Sequence, residues 1–150
     1  MTNIKSIFGL LLALVAAGAF AVASSAGSTG LPRSGALHVT KECHDYGGLA
    51  GQHCTITSSN IPAIKVGSRV VYASAANPAA GLLDSDLVID GPGDNTAYGH
   101  VVLDLSTFTG VVTFSGGTGE FRWFHARVNV VPLGWPNFGW EGTYSFDPPS

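Results

Sequence analysis

Apolar and polar residues alternate with period two along most of the chain, and no segment after residue 30 repeats apolar residues at helical spacing for three turns. Such alternation indicates β-strands, because successive side chains of a strand point to opposite faces of a sheet. In the clearest segment, 138–146, aromatic residues alternate with polar residues and glycine. The pattern predicts clear strands in segments 83–90, 98–105, 123–130 and 138–146, and weaker ones in segments 37–43, 54–58, 68–75 and 110–114.

Clusters of glycine, proline and asparagine separate these segments, as at Gly91 to Asn95 and at Pro132 to Asn137. Eight short strands divided by turns are typical of a β-sandwich or a closed barrel. Eight strands of about eight to ten residues would use most of the chain, and this length favours the barrel. We therefore predict an all-β, eight-stranded antiparallel up-and-down barrel over residues 36–147.

The two clearest C-terminal strands predict which side chains fill this barrel. Burying an apolar face stabilises by about 1.5–3 kcal/mol per large side chain, whereas burying an unpaired charge costs several kcal/mol. We expect Phe124, Ala126, Val128, Trp140, Gly142 and Tyr144 to point inward, and His125, Arg127, Glu141 and Thr143 to point outward. Candidates for the wall of a ligand cavity are Phe124, Trp140, Tyr144 and Phe146. A packed core made of the same residues is the alternative.

The start of the chain is typical of a secretory signal peptide. Lys5 precedes an uninterrupted run of small and apolar residues, Ile7 to Ala23, which ends before polar Ser24. The run is shorter than the about 20 residues of a membrane-spanning helix, so an uncleaved anchor is the weaker alternative. We predict a signal peptide over residues 1–23, with cleavage at Ala23 or as late as Ala26. A flexible tail over residues 24–35 would follow, in a secreted or periplasmic protein without a stable membrane anchor.

Two cysteines, Cys43 and Cys54, fall within the predicted barrel. In an exported protein an even number of cysteines indicates a disulfide, and closing so short a loop should stabilise by about 3 kcal/mol. His44 and His53 flank the pair, so a Cys2His2 zinc site is the alternative. Their spacing differs from that of zinc fingers, and adjacent strand residues point apart. We therefore expect the disulfide and no metal.

Charged residues make up only 11% of the chain, and its formal net charge is -3. There is no basic run. This argues against a nucleic-acid partner and against a polybasic membrane contact. The motifs of serine hydrolases, zinc proteases, P-loop proteins and dinucleotide-binding proteins are absent from the sequence, and no cofactor is expected.

The remaining polar candidates are scattered over the strands. Asp84, Asp86 and Asp90 share one strand face, where they are either solvated charges on the barrel exterior or an acid/base pair or calcium ligands. We expect His100 to pair with Asp104 on the surface. Trp123, His125 and Arg127 would line a polar lumen only if this strand had the reverse orientation. A subunit interface could equally cover Trp123, so a homo-oligomer is left open.

The segment 113–121, TFSGGTGEF, leads into a long strand, and the chain closes with the aromatic strand 140–146, WEGTYSF. Together with the strand at 83–88, this half of the chain resembles the allene oxide cyclase-like and dirigent-like barrels. The resemblance implies a calycin-like barrel with an apolar cavity, often trimeric. It also implies cyclisation of a fatty-acid epoxide, or orientation of phenoxyl radicals. The family's catalytic residues lie mainly on N-terminal strands that do not align, so none is transferred.

Two functions follow from these observations. The first is a secreted barrel that binds a small apolar ligand, or serves as a structural unit, without catalysis. The alternative is a cyclase or isomerase of the allene oxide cyclase type, acting on a small hydrophobic substrate in the cavity. The two differ in one feature: an enzyme needs an ionisable group with a shifted pKa inside the apolar lumen. The alternation places only Tyr144 there, and this favours binding.

Overall fold

The computed structural model describes residues 32–148 and shows a closed antiparallel barrel of eight strands. Every strand pairs with its neighbour in sequence, and β1 closes the barrel against β8. The predicted all-β up-and-down barrel is confirmed. The strands are β1 (Ser34–Glu42), β2 (His53–Ser59), β3 (Arg69–Tyr72), β4 (Leu82–Asp90), β5 (Thr96–Asp104), β6 (Thr109–Gly117), β7 (Phe124–Pro132) and β8 (Asn137–Phe146).

Loops alternate between the two ends of the barrel because every strand is antiparallel to the next. The loops after β1, β3, β5 and β7 share one end, which we call the cysteine end because Cys43 lies there. These loops are segments 43–52, 73–81, 105–108 and 133–136. The opposite end carries both termini of the barrel and a short 3-10 helix, Gly119–Phe121.

The barrel begins slightly earlier than the sequence predicted. Ser34 and Gly35 already pair with Ser145 and Tyr144 of β8, although they fall within the predicted tail. The long final strand offers them backbone partners, which small polar residues accept as readily as apolar ones. The predicted signal peptide and most of the predicted tail lie outside the described residues.

The inward and outward faces of β7 and β8 agree with the alternation. Phe124, Val128 and Trp140 are buried, and His125 and Arg127 are exposed. The interpretation of Trp123, His125 and Arg127 as a polar lumen is therefore wrong. The remaining predicted residues follow the same alternation. Ala126, Gly142 and Tyr144, which were expected to point inward, are partly buried, and Glu141 and Thr143, which were expected to point outward, are exposed.

Aromatic rings fill the half of the lumen opposite the cysteine end. Phe124 lies at the centre of this cluster, with ring centroids 5.1 to 5.4 Å from Phe114, Phe121 and Phe146. Phe121 reaches the cluster from the 3-10 helix after the glycine-rich turn and is fully buried. This half of the interior is a packed core.

The close approach of β7 and β8 requires glycine at position 142. An added Cβ would lie 2.0 Å from the Arg127 carbonyl oxygen, a backbone atom that cannot rotate away. We expect Gly142→Ala to lower the free energy of unfolding by about 2 kcal/mol or more, because overpacking forces the strands apart. Gly35→Ala is the control, since its Cβ would meet only the Tyr144 ring, at 3.6 Å. Urea denaturation of both variants checks this, and equal losses would contradict it.

Candidate functional site

A single lysine lies inside the barrel. Lys41 is on the inner face of β1, in the alternating series Leu37, Val39, Lys41 and Cys43, all of which are buried. Its pairing with β8 is unbroken and sets it opposite Phe138. On the other side, the pairing with β2 skips Thr57, so that Lys41 faces Ile56. The register on both sides thus holds the lysine inward.

The Lys41 amine contacts aromatic side chains. It donates a hydrogen bond to the Tyr72 hydroxyl at 2.5 Å, and it lies 5.2 Å from the Tyr72 ring centroid and 4.7 Å from the Trp140 ring centroid. Among residues 32–148, Lys41 forms no salt bridge. The contact with the Trp140 ring offsets part of the desolvation cost of a buried ammonium, whereas the amine meets Tyr72 at its hydroxyl edge. The offset is incomplete, because burial lowers the pKa of Lys41 from 10.5 to about 7.

Two tyrosines complete the polar part of this site. Tyr72, on β3, is buried, and burial followed by the charge of Tyr46 raises its pKa, which keeps the phenol neutral. Tyr46 comes from the loop after β1 and packs against Tyr72, with the ring centroids 4.6 Å apart and the ring planes tilted by 45°. Burial also raises the pKa of Tyr46. The buried Tyr46 hydroxyl and the Trp140 indole nitrogen have no hydrogen-bond partner in the described part of the chain.

The predicted disulfide between Cys43 and Cys54 is confirmed and forms part of the wall of this site. It joins the end of β1 to β2 and closes the loop that carries Tyr46. The Cys54 sulfur lies 3.7 Å from the Tyr72 hydroxyl. Both thiols are consumed by the bond, so the Cys2His2 zinc alternative is wrong. Disulfides of this kind are typical of oxidising, extracellular-type compartments.

A small cavity of about 30 Å³ lies beside the lysine. One water needs about 10–15 Å³ on this measure, so the space admits a group the size of one or two waters. Apart from Lys41 and the two tyrosines, its lining is apolar or the disulfide. The lining residues are Lys41, Cys43, Tyr46, Cys54, Tyr72, Leu83, Val101, Leu103, Val130 and Phe138.

Apolar residues extend from this cavity to the outer surface of the cysteine end. Phe138 lines the cavity, and its ring centroid lies 5.9 Å from Phe108 and 6.2 Å from Trp135. Phe108 is 42% exposed, Leu133 52% and Trp135 64%. We call Phe108, Leu133 and Trp135 the apolar rim. Phe138 is the contact between the rim and the cavity.

The four sequence-predicted cavity residues occupy different places. Phe124 and Phe146 belong to the aromatic cluster of the opposite half and do not line the cavity beside Lys41. Tyr144 is partly buried and borders a surface groove together with His125 and Arg127. Trp140 is the one whose ring contacts the lysine amine.

The acidic strand face is on the outside of the barrel. Asp84 and Asp86 are exposed and hold His100 of β5 between them, at 2.6 Å and 2.8 Å. The predicted pair of His100 with Asp104 is wrong, because Asp104 instead accepts hydrogen bonds from Ser106 in its own turn. The third predicted acid, Asp90, pairs in register with Arg69 and Thr96. No group of three or more His, Cys, Asp or Glu residues among 32–148 is arranged to hold a metal ion.

Trp123 follows the 3-10 helix with a positive φ of 66° and is 38% exposed. The Arg122 guanidinium lies 5.0 Å from its ring centroid, so a neighbour in sequence covers one side of the indole. Arg127 stands opposite Thr113 and Thr143 and has no salt bridge within the described residues.

Sequence reasoning missed Lys41 although a signal was present. The period-two alternation that places Leu37 and Val39 inside the barrel also places Lys41 and Cys43 inside. Lys41 was not considered as an inward residue because charged side chains are expected to point outward.

Comparison of the chain with protein-family models, with curated proteins and with solved structures finds no match. Within residues 32–148, no helix is long and apolar enough to cross a membrane. Fold and site together define a closed antiparallel barrel whose described residues place one lysine and two tyrosines in an otherwise apolar end of the lumen.

The buried lysine predicts an unusual dependence of stability on pH. The folded protein releases the Lys41 proton above about pH 7, whereas the unfolded chain keeps it to about pH 10.5, so the free energy of unfolding rises with pH between these values. Lys41→Met removes this dependence. A difference of one bound proton changes the free energy of unfolding by about 1.4 kcal/mol per pH unit. The free energy by which Lys41→Met is more stable than the wild type should therefore decrease by about 3 kcal/mol between about pH 6.5 and about pH 9.5.

Urea denaturation at several pH values checks this prediction. Lys65→Met is the matched control, because Lys65 is partly exposed and pairs with Glu120 at 3.1 Å. If the free energy of unfolding changed with pH in the same way in Lys41→Met and Lys65→Met, the conclusion that the buried Lys41 amine lacks a stabilising partner would be contradicted.

The His100 contacts predict a second titration. The hydrogen bond to Asp86, with further contributions from Asp84, raises the pKa of His100 above 6.5. Stability from these contacts is therefore present at low pH and is lost as pH rises through the folded pKa. Proton NMR of the imidazole should show a midpoint above 6.5, lowered by Asp86→Asn and unchanged by Asp90→Asn. A wild-type midpoint at or below 6.5 would refute it.

Proposed function

We propose that the protein is an exported barrel that binds a small, mainly apolar molecule through a polar end at Lys41. The observation that carries the proposal is the buried Lys41 amine, which has no acidic partner in the described residues and faces an apolar cavity. A purely structural barrel would be more stable with methionine or leucine at this position, because a buried unpaired charge costs several kcal/mol. A group retained at such a cost is a functional candidate.

The size of the cavity defines which part of the ligand it takes. A space of about 30 Å³ holds a carboxylate or carbonyl group but no larger body. Pockets for whole small molecules have about 300–1,000 Å³. The ligand's apolar part therefore lies outside the cavity, along Phe138 and the apolar rim. Exposed apolar surface at this rim is what such a tail would cover.

The chemistry of the polar end follows from the side chains present. The Lys41 ammonium donates hydrogen bonds, and the Tyr46 hydroxyl, which also lines the cavity, has no hydrogen-bond partner in the described chain. An oxygen acceptor, such as a carboxylate or carbonyl, matches this set. A cationic end would be repelled by the protonated amine. The ligand class is thus a short-chain or medium-chain acid or carbonyl compound.

Isothermal titration calorimetry with octanoate tests this proposal. We expect octanoate to bind and octylamine, which has the same tail and a cationic end, not to bind. Lys41→Met should weaken octanoate binding about tenfold or more, since a hydrogen bond to a charged group contributes about 1.5–3 kcal/mol. Trp135→Ala should weaken it by removing apolar contact, and Lys65→Met should have no effect. Absence of binding, or equal binding by Lys41→Met, would refute the proposal.

The same lysine also supports a second candidate, catalysis on a small hydrophobic substrate. An ionisable group with a shifted pKa inside the lumen is the feature that separates an enzyme from a binding barrel, and Lys41 has it. The resemblance of the C-terminal half to allene oxide cyclase-like barrels suggests cyclisation of a fatty-acid epoxide. Incubation with such an epoxide should then give one cyclopentenone enantiomer in excess over the protein-free reaction. Loss of this excess in Lys41→Met would support the enzyme.

A further inference from the structure

The Lys41 amine has the surroundings of a nucleophile. It donates a hydrogen bond to the Tyr72 hydroxyl at 2.5 Å, and the residue is only 5% exposed. Burial lowers its pKa to about 7, so a large share of the amine is neutral near neutral pH. A lysine desolvated in an apolar pocket is a recognised means of activating the amine towards carbonyl compounds.

The groups facing Lys41 do not hold it in the charged form. Tyr72 faces it from β3 and Tyr46 from the loop after β1, and burial keeps both phenols neutral by raising their pKa values. The other cavity-lining positions, on β4, β5, β7 and β8, are aliphatic or phenylalanine, and the two cysteines are joined in the disulfide. No carboxylate lines the cavity.

We infer that Lys41 captures small aldehydes covalently, forming an imine in the cavity beside Tyr72. This inference rests on the proposed function, because it uses the same cavity and specifies the class of polar end that the cavity takes. The aldehyde group occupies the space of about 30 Å³, and its alkyl chain lies towards Phe138.

The reaction needs no oxidant or reductant. The lone pair of the Lys41 nitrogen attacks the carbonyl carbon, a carbon–nitrogen bond forms, and the carbonyl π electrons move to oxygen. Tyr72 donates its hydroxyl proton to that oxygen and takes one proton from the nitrogen, which gives a carbinolamine and restores the phenol. The carbinolamine then loses its hydroxyl group with the remaining nitrogen proton as water, and the carbon–nitrogen double bond forms.

The chain allows a direct test because it contains few lysines. Residues 32–148 contain only Lys41 and Lys65, and Lys65 is partly exposed and paired with Glu120. Reaction at either lysine, at Lys5 in a chain that retains it, or at the α-amine can be assigned by peptide mapping.

The experiment traps the imine with propanal and sodium cyanoborohydride at about pH 7.5. Intact-mass measurement follows the single propyl addition, and peptide mapping assigns it. We expect Lys41 to react at least about tenfold faster than Lys65. Lys41→Arg should abolish this addition and Lys65→Arg should preserve it. Tyr72→Phe should slow it, because the proton donor and acceptor is lost.

The pH profile separates a nucleophile from a merely accessible amine. Modification of Lys41 should fall about tenfold for each pH unit below about 6, as the amine becomes protonated. Equal rates at Lys41 and Lys65, or addition that persists in Lys41→Arg, would overturn the inference. Octanoate binding without trapping would overturn the inference and leave the proposed function standing. Trapping at Lys41 without octanoate binding would support the inference and refute the carboxylate form of the proposed function.

Discussion

Closure of the barrel between β1 and β8 is the constraint on which the rest of the structure depends. The nine paired positions from Ser34 to Glu42 show no shift in register, so every second residue of β1 must face the lumen. A slip by one residue would expose Leu37 and Val39 and bury their polar neighbours. Lys41 is held inside by the same pairing. The energetic benefit of closing the sheet thus supports a residue whose own burial is unfavourable.

The lumen has two halves with different properties. Phenylalanine rings packed around Phe124 fill the interior of the half near the 3-10 helix. The cysteine end instead contains an amine, two phenols and a small void. Eight strands enclose just enough space for side chains or for one small ligand. One half of this barrel is thus a packed core, and the other half holds the buried amine and the void.

The sequence was sufficient for the fold because alternation is a local property. Each strand shows its own apolar face, so eight strands and the inward positions of Phe124 and Trp140 follow without knowledge of the partners. Relations between strands are not local. His100 lies opposite Asp86 through the register of β4 with β5, which one strand alone does not encode, and this is why the expected pair with Asp104 was wrong. Lys41 was missed for a different reason: the local pattern was correct, and the rule that charges point outward outweighed it.

The position of the disulfide determines when the pocket is complete. Cys43 and Cys54 line the cavity, and the loop between them presents Tyr46 to Tyr72. A newly made chain with reduced thiols has no covalent restraint on that loop, so the Tyr46 side of the pocket is not yet fixed. Oxidation of the cysteines therefore restrains the loop that completes this end of the lumen. The site proposed at Lys41 is thus complete only after Cys43 and Cys54 are oxidised, and the proposed ligand binding depends on an oxidising compartment.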